Sequence, residues 1–238
     1  MKQAGRITGE ALMLAGEAVK PGITTKVLDD MIRHYIEKCG AKPSFLGYGG
    51  FPASACISVN DQVIHGIPSA QTVLQEGDIV KIDVGAYYRG FHGDSANTFA
   101  VGNISPEAQK LITVTKESFW KGIENFKEGN RIGDIGSAIE NHVTANGYSV
   151  VKRYVGHGIG RELHESPEVP NYGRAGRGPR LTLGMALAIE PMVNVGTEDV
   201  IELSDGWTVL TKDRQLSAHY EHTAVLTENG VELTTFIK

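Results

Sequence analysis

The chain predicts an α+β fold of two halves, each a pair of helices followed by antiparallel strands. Two observations carry this. Helix-periodic stretches occur in pairs, over about 4–40 and about 106–147, and strand-like runs follow each pair. Residues 9–41 also slide onto 116–148 without a gap, at a constant offset of 107. That offset places Glu10 on Glu117, Lys20 on Lys127, Gly22 on Gly129, Ile32 on Ile139 and Gly40 on Gly147. It also sets Leu74 and Gly77 on Leu181 and Gly184, and Ile82-Asp83 on Ile189-Glu190. A helix pair repeats easily by chance. An offset that carries one acid onto another in matching strands does so far less readily. The expectation is one domain over 1–238 with pseudo-symmetric halves of about 4–105 and 106–238, so that acids from both halves converge near the axis.

Residues 4–19 are rich in Ala, Leu, Met and Glu and read as a helix stopped by Pro21-Gly22. Thr24 or Thr25 caps the next helix, where Val27, Leu28, Met31, Ile32, Tyr35 and Ile36 keep helical spacing until Gly40. Strand-like 53–60 and 62–67 meet at the turn pair Asn60-Asp61. A hairpin follows, 79–87 and 91–101, turning at Tyr88-Arg89-Gly90. Ser105-Pro106 opens a helix to about Phe126, as cap plus first-turn proline. Ile132, Ile135, Ile139 and Val143 mark another, closed by Asn146-Gly147. Residues 148–155 read as a strand, and 156–180, rich in Gly, Pro and Arg, as a long functional loop. Strands at 186–195, 207–211, 217–227 and 231–237 complete the chain.

Composition narrows the class. The chain is 41% hydrophobic and 21% charged, with a net charge of −5 and no polybasic run, so a nucleic-acid surface is not expected. No segment offers ~18 uninterrupted apolar residues and no signal peptide is visible, so a cytoplasmic location away from membranes is expected. Cys39 and Cys56 form no CxxC pair, which argues against a disulfide scaffold or a thiolate zinc site.

The hairpin carries the first chemistry. With a two-residue loop, cross-strand partners have numbers that sum to an odd value. Asp83 and Asp94 then share one face, opposite or diagonal. Among apolar neighbours two carboxylates repel and lose hydration, and a bound cation relieves both. The alternatives are that both face solvent, or that a longer loop points them apart. Glu190 lies in the apolar run Ala-Leu-Ala-Ile-Glu-Pro-Met-Val, and Glu221 in Ser-Ala-His-Tyr-Glu-His-Thr-Ala, where one face of the strand could instead be wet. His157 is flanked by Gly156 and Gly158, which would let backbone and ligand approach the imidazole. His164 and His65 are further candidates; His34, His92, His142, His219 and His222 are weaker, with His34 and His142 expected on helix surfaces. Asp83, Asp94, His157, Glu190 and Glu221 make a carboxylate-rich set with one imidazole. Such a set suits Mn, Fe, Co or Zn dications, including a pair sharing bridging carboxylates.

The motif Tyr154-x-Gly156-His157-Gly158-Ile159-Gly160, with His164, Val169, Asn171 and Tyr172 after it, resembles the signature of bacterial type I methionine aminopeptidases. These are metallopeptidases of the pita-bread fold, with helices on the outer face. Cys56 to Asn60, His65-Gly-Ile-Pro68, Ile82-Asp83-Val84, His92-Gly-Asp94, Ile189-Glu190-Pro191 and Tyr220-Glu221-His222-Thr223 match the other blocks in order. The short span from His157 to Glu190 lacks the helical insertion of the type II branch.

The resemblance implies removal of an initiator methionine when the second residue is small. It implies two divalent ions (Co, Mn, Fe, Zn or Ni), with Asp83 on one, Asp94 and Glu221 bridging, and His157 and Glu190 on the other. His65 and His164 would flank the peptide bond, and Glu190 would shuttle a proton. Tyr48, Phe51, Cys56, Leu163 and Trp207 would line the methionine pocket; position 163 is often aromatic in the family and is Leu here. Implied partners are methionyl peptides and nascent chains, with the ribosome as a further candidate and a monomeric chain. Rival readings are an Xaa-Pro peptidase of the same fold, which usually carries an extra N-terminal domain, and a non-catalytic binding relative, which would lose ligands.

Overall fold

The computed structural model describes residues 1–237. Helices α1 (Lys2–Ala18) and α2 (Thr25–Lys38) lie where the periodicity puts them. Thr24 is the cap, its side chain accepting from the Val27 amide at 3.3 Å. α2 buries Leu28, Ile32 and Ile36 completely, a stripe on one helix face. Each such side chain is worth roughly 1.5–3 kcal/mol over leaving it in water.

Strands β1 (Lys42–Pro43), β2 (Ala55–Val59) and β3 (Gln62–Ile64) lead to the hairpin of β4 (Ile79–Tyr88) and β5 (Phe91–Ala100). Its loop is Arg89-Gly90, with φ of 49° and 86°, as a tight right-twisting hairpin requires. β4 pairs with β5 on one side and with β2 and β1 on the other, all antiparallel. α1 packs on this sheet through small residues. A Cβ added to Gly93 would stand 2.7 Å from the Gly5 Cα, so helix and strand touch backbone to backbone there.

α3 (Pro106–Ile123), capped by Ser105, and α4 (Ile132–Ala145) begin the second half. β6 (Ser149–Val150), β7 (Gly156–Gly158), β8 (Glu165–Val169), β9 (Ala186–Ile189) and β10 (Met192–Asn194) follow. The chain continues through β11 (Val200–Glu202), β12 (Val209–Thr211), β13 (Ser217–His219), β14 (His222–Thr227) and β15 (Gly230–Leu233). A five-stranded sheet runs β15-β14-β9-β7-β8, and smaller sheets run β13-β10-β6 and β11-β12-β3. One apolar core lies under α1 and α2, and a second under α3 and α4. β5 meets the step between β13 and β14 at Ala96 and Glu221: the Glu221 amide donates to the Ala96 carbonyl at 2.9 Å, and the Ala96 amide to the Glu221 carbonyl at 3.3 Å. Among the described residues no helix is long and apolar enough to cross a membrane.

β1 and β11 lie where no strand is expected, and β15 ends at Leu233 rather than at 237; three further corrections bear on the site. The expected strand at 148–155 is only β6. The expected loop at 156–180 contains β7 and β8. β8 is a sheet-edge strand with mostly exposed polar residues, so no apolar alternation marks it. The runs 186–195 and 217–227 each break at their acid. β9 and β10 belong to different sheets, as do β13 and β14, so the chain changes sheet at Glu190-Pro191 and again at Tyr220-Glu221. Proline has no amide to continue a ladder, which explains the first break.

Candidate metal centre and adjoining pocket

β4 and β5 place the first two acids. Asp83 stands opposite Ala96 and Asp94 opposite Gly85, so the carboxylates are diagonal neighbours on one face. Glu190 and Glu221 occupy the two steps where the chain leaves one sheet for another, and His157 lies within β7. The structure brings these five together around one cavity of about 280 Å³. The same cavity is lined by His65, His164, Tyr48, Phe51, Cys56, Leu163 and Trp207. Phe45 lines it too, a single aromatic in an irregular stretch that no sequence pattern marks.

Of the two approaches expected at the glycines beside His157, the structure shows that of backbone. A Cβ on Gly156 would meet the Ala188 carbonyl oxygen at 2.3 Å, and one on Gly158 the Ser166 carbonyl oxygen at 2.4 Å. Neighbouring backbone of the sheet, not an approaching ligand, demands them.

The ligand wall is crowded with acceptors. His157 Nδ1 lies 2.9 Å from the Gly158 carbonyl oxygen, which can only accept, so the ring proton sits on Nδ1. Nε2 is then a lone pair, yet it lies 3.6 Å from Glu190 Oε1 and 3.8 Å from Asp94 Oδ2. Burial, and after it His164, pushes the imidazole down to about 4, so protonation does not relieve the contact. Burial raises all four carboxyls. Asp94 is pushed up to about 7, and Asp83, Glu190 and Glu221 go well above the carboxylate range, helped by one another's charge. Asp83 Oδ1, Asp94 Oδ1 and Glu221 Oε1 are buried without a hydrogen-bond partner among the described residues. One ligand atom each from Asp94, His157 and Glu221 lie within 4.8 Å of one another. Four buried acids and one imidazole nitrogen converging with no Lys or Arg in the lining fit a cation, and the oxygen-rich, single-imidazole set fits a first-row dication.

Backbone contacts hold this wall. The Thr223 hydroxyl accepts from the Asp94 amide at 2.9 Å and donates to the Asp94 carbonyl at 2.8 Å. Asn171 Nδ2 donates to the Glu190 carbonyl at 3.0 Å. Both residues stand in the quoted motifs, but nothing in the spacing announced these contacts.

The opposite wall is apolar. Phe51, Cys56 and Leu163 are buried, and Phe51 meets Trp207 edge-on at 5.1 Å between ring centroids. Cys56 pairs in register with Asp83, and burial first, then that charge, raises its thiol, so it stays neutral. His164 sits between the two walls, its ring 4.2 Å from that of His157 and its Nδ1 hydrogen-bonded to the Tyr48 hydroxyl at 2.7 Å. His65 has φ of 57°, a left-handed backbone rare for a residue with a Cβ. Burial pushes it down to about 4, so it is neutral and able to donate and accept.

The weaker histidines stay out of the cavity lining. His34 is exposed, and His142 is half-buried and pairs with Glu117 at 3.1 Å. His92 bonds to Ser44 at 2.9 Å, and His222 joins a buried network with Thr235 and Tyr220. His219 lies behind the wall with Nε2 at 3.7 Å from Glu190 Oε2.

A family model for metallopeptidase family M24 matches residues 1–228. The chain is similar to the methionine aminopeptidase of Clostridium perfringens, with 59% identity over 238 residues, covering 100% of this chain and 95% of that protein. It is 58% identical to the methionine aminopeptidase of Clostridium acetobutylicum, covering 99% of this chain and 94% of that one. Among solved structures, methionine aminopeptidase from Thermotoga maritima superposes with a TM-score of 0.98 at 44% identity, covering 100% of this chain and 95% of that one.

Proposed function

The chain belongs to metallopeptidase family M24, and on that premise we propose that it removes the N-terminal methionine from nascent proteins and peptides whose second residue is small. It is a metal-dependent aminopeptidase on the pita-bread fold. The observation that carries the reading is one cavity with two unlike walls: converging lone pairs on one side, an apolar slot on the other, and two neutral histidines lining it with them.

Two divalent ions, held by Asp83, Asp94, His157, Glu190 and Glu221, supply Lewis acidity to a water and to the scissile carbonyl when bound. Their identity among Co, Mn, Fe, Zn and Ni follows availability as much as ligand type. In this reading Asp94 and Glu221 would be shared between the two ions, Asp83 would serve one, and His157 and Glu190 the other. The unpartnered oxygens of Asp83, Asp94 and Glu221 support those roles.

The chain's own residues do the rest. His164 donates a hydrogen bond to the scissile carbonyl oxygen as charge develops there, with Tyr48 at Nδ1 setting its ring. His65 bonds the amide on the far side of that carbonyl. Glu190, whose affinity for a proton is raised by burial, takes one from the water and returns it to the leaving amine. Phe51, Cys56, Leu163 and Trp207 take the thioether, an unbranched and polarisable chain, by shape and apolar contact. The free N-terminal amine of the substrate falls at the ligand wall, which makes the enzyme an exopeptidase.

Residues 1–238 act here as one catalytic unit of two related halves. Ile82 pairs with Asn97 and Ile189 with His222, so the offset that carries β5 onto β14 sets Ala96 on Glu221. Those two residues exchange backbone hydrogen bonds, the contact a two-fold relation produces. A cytoplasmic monomer meeting chains as they leave the ribosome completes the reading. Purified protein supplied with Co²⁺ or Mn²⁺ releases methionine from Met-Gly and Met-Ala peptides. Cleavage of Xaa-Pro peptides with no methionine release would overturn the assignment.

A further inference from the structure

Glu190 is held between two imidazoles. Its Oε1 lies 3.6 Å from His157 Nε2, and its Oε2 lies 3.7 Å from His219 Nε2. His157 belongs to the cavity wall, whereas His219 stands behind it, 1% exposed, at the end of β13. Both ring nitrogens of His219 lack a hydrogen-bond partner among the described residues. A buried polar ring in that condition is costly, and a residue that served only to fill space would be better apolar.

We propose that His219 is a positioning residue that holds Glu190 by Oε2, so that Oε1 is the oxygen presented to the cavity. The inference rests on the reading of Glu190 as ligand and proton carrier given above. Three observations support it. First, the His219 backbone is fixed from the other half of the chain: its amide donates to Thr98 Oγ1 at 2.9 Å and its carbonyl accepts from that hydroxyl at 2.8 Å. Second, β13 pairs with β10 so that His219 stands opposite Met192, two residues past Glu190, which sets the ring beside the acid. Third, a neutral imidazole carries one N–H, and Glu190 Oε2, 3.7 Å away, is the acceptor that His219 Nε2 faces. A neutral donor leaves the carboxylate its charge while fixing its rotation. Hydrogen bonds of this kind are often long in a free site and shorten when it is loaded. Partners behind a metal ligand typically set about 10–100-fold of affinity or activity.

The test separates this role from simple filling and from the functional reading itself. Mn²⁺ binding is measured by calorimetry on the full chain, alongside kcat and KM on Met-Ala-Ser, for His219→Met, His219→Asn and His219→Gln. Gln can reach Oε2 with an amide N–H; Asn is too short and Met has no donor. The expected result is a Mn²⁺ Kd about 10-fold or more weaker and a similar loss of kcat in the Met and Asn variants, with KM within about threefold. Gln stays within about threefold of the parent in Kd and kcat. In a Glu190→Gln background, His219→Met adds little further loss in Kd, because the partner is already altered. Equal losses in Gln and Asn variants that unfold at the parent temperature would overturn the proposal, as would no loss in any of them. Should His219→Met not fold, the Asn and Gln pair decides alone. Failure of the parent to release methionine counts against the functional reading, while the calorimetric comparison still tests His219.

Discussion

Thr223 grips Asp94 by both backbone groups, accepting from its amide at 2.9 Å and donating to its carbonyl at 2.8 Å. The contact joins β5 of one half to β14 of the other, beside the mutual pair of Ala96 and Glu221. Asp94 and Glu221, two of the proposed ligands, are thereby set through main chain rather than through long side chains.

Thr223→Val keeps the shape and removes both bonds, leaving a buried amide and carbonyl unpaired. Unfolding stability should fall by about 2 kcal/mol or more. Thr223→Ser, which keeps the hydroxyl, should recover most of it. Because Asp94 is displaced while the apolar wall is untouched, kcat should fall further than KM rises. Urea titration and steady-state kinetics read the two effects, and equal behaviour of the Val and Ser variants would sink the argument.

Metal should stabilise the fold strongly, since a cation relieves at once the repulsion among the buried carboxylates and the lone-pair contact of His157 with Asp94 and Glu190. Protein stripped by chelator should unfold at a lower temperature, and Mn²⁺ at about 100 times its Kd should restore about 2.7 kcal/mol. Asp94→Asn should fold but lose turnover and most of that stabilisation. Thermal unfolding with and without Mn²⁺ checks this, and full activity in the variant would end the bridging role.

The parts of the site that the sequence revealed are those whose physics is local. The hairpin loop, the parity of Asp83 and Asp94, and the helix caps depend on neighbours in the chain. Glu190 and Glu221 stood out because an acid in an apolar run is costly. What stayed hidden depends on distant partners. No pattern shows that 186–195 leaves one sheet for another at Glu190, or that β8 is an edge strand. Register between β10 and β13 turns His219 toward Glu190, and the sheet's own backbone explains Gly156 and Gly158.

Asp29 illustrates a hidden support away from the cavity. It is 3% exposed on α2, and its Oδ1 accepts from the Ser54 amide at 2.8 Å and the Ala55 amide at 3.0 Å. These amides open β2, which carries Cys56 into the pocket. Asp29→Ala orphans both and should cost on the order of 2–4 kcal/mol. Asp29→Asn, with one acceptor oxygen left, should cost less. Guanidinium unfolding measures the order, and an Ala variant within about half a kcal/mol of the parent would contradict it.

Tyr35 and Glu10 give a stability term whose pH dependence has a definite sign. The Tyr35 hydroxyl donates to Glu10 Oε2 at 2.7 Å, tying α2 to α1, and Arg6 Nε donates to Oε1 at 2.8 Å. The Tyr35 bond chiefly holds the Glu10 carboxyl below its usual range, with burial opposing and Arg6 adding to it. The folded chain therefore binds this proton more weakly than the unfolded chain does. The stabilisation is fully present above the unfolded value of about 4.3 and disappears as pH falls through the lower folded value. Tyr35→Phe should destabilise by about 0.5–1.5 kcal/mol near neutrality, and by progressively less as the solution is acidified past that window. Parent and variant unfolding temperatures measured from about pH 3 to about pH 8 give the difference directly. A difference that stays constant across that range would mean that Tyr35 contributes packing alone.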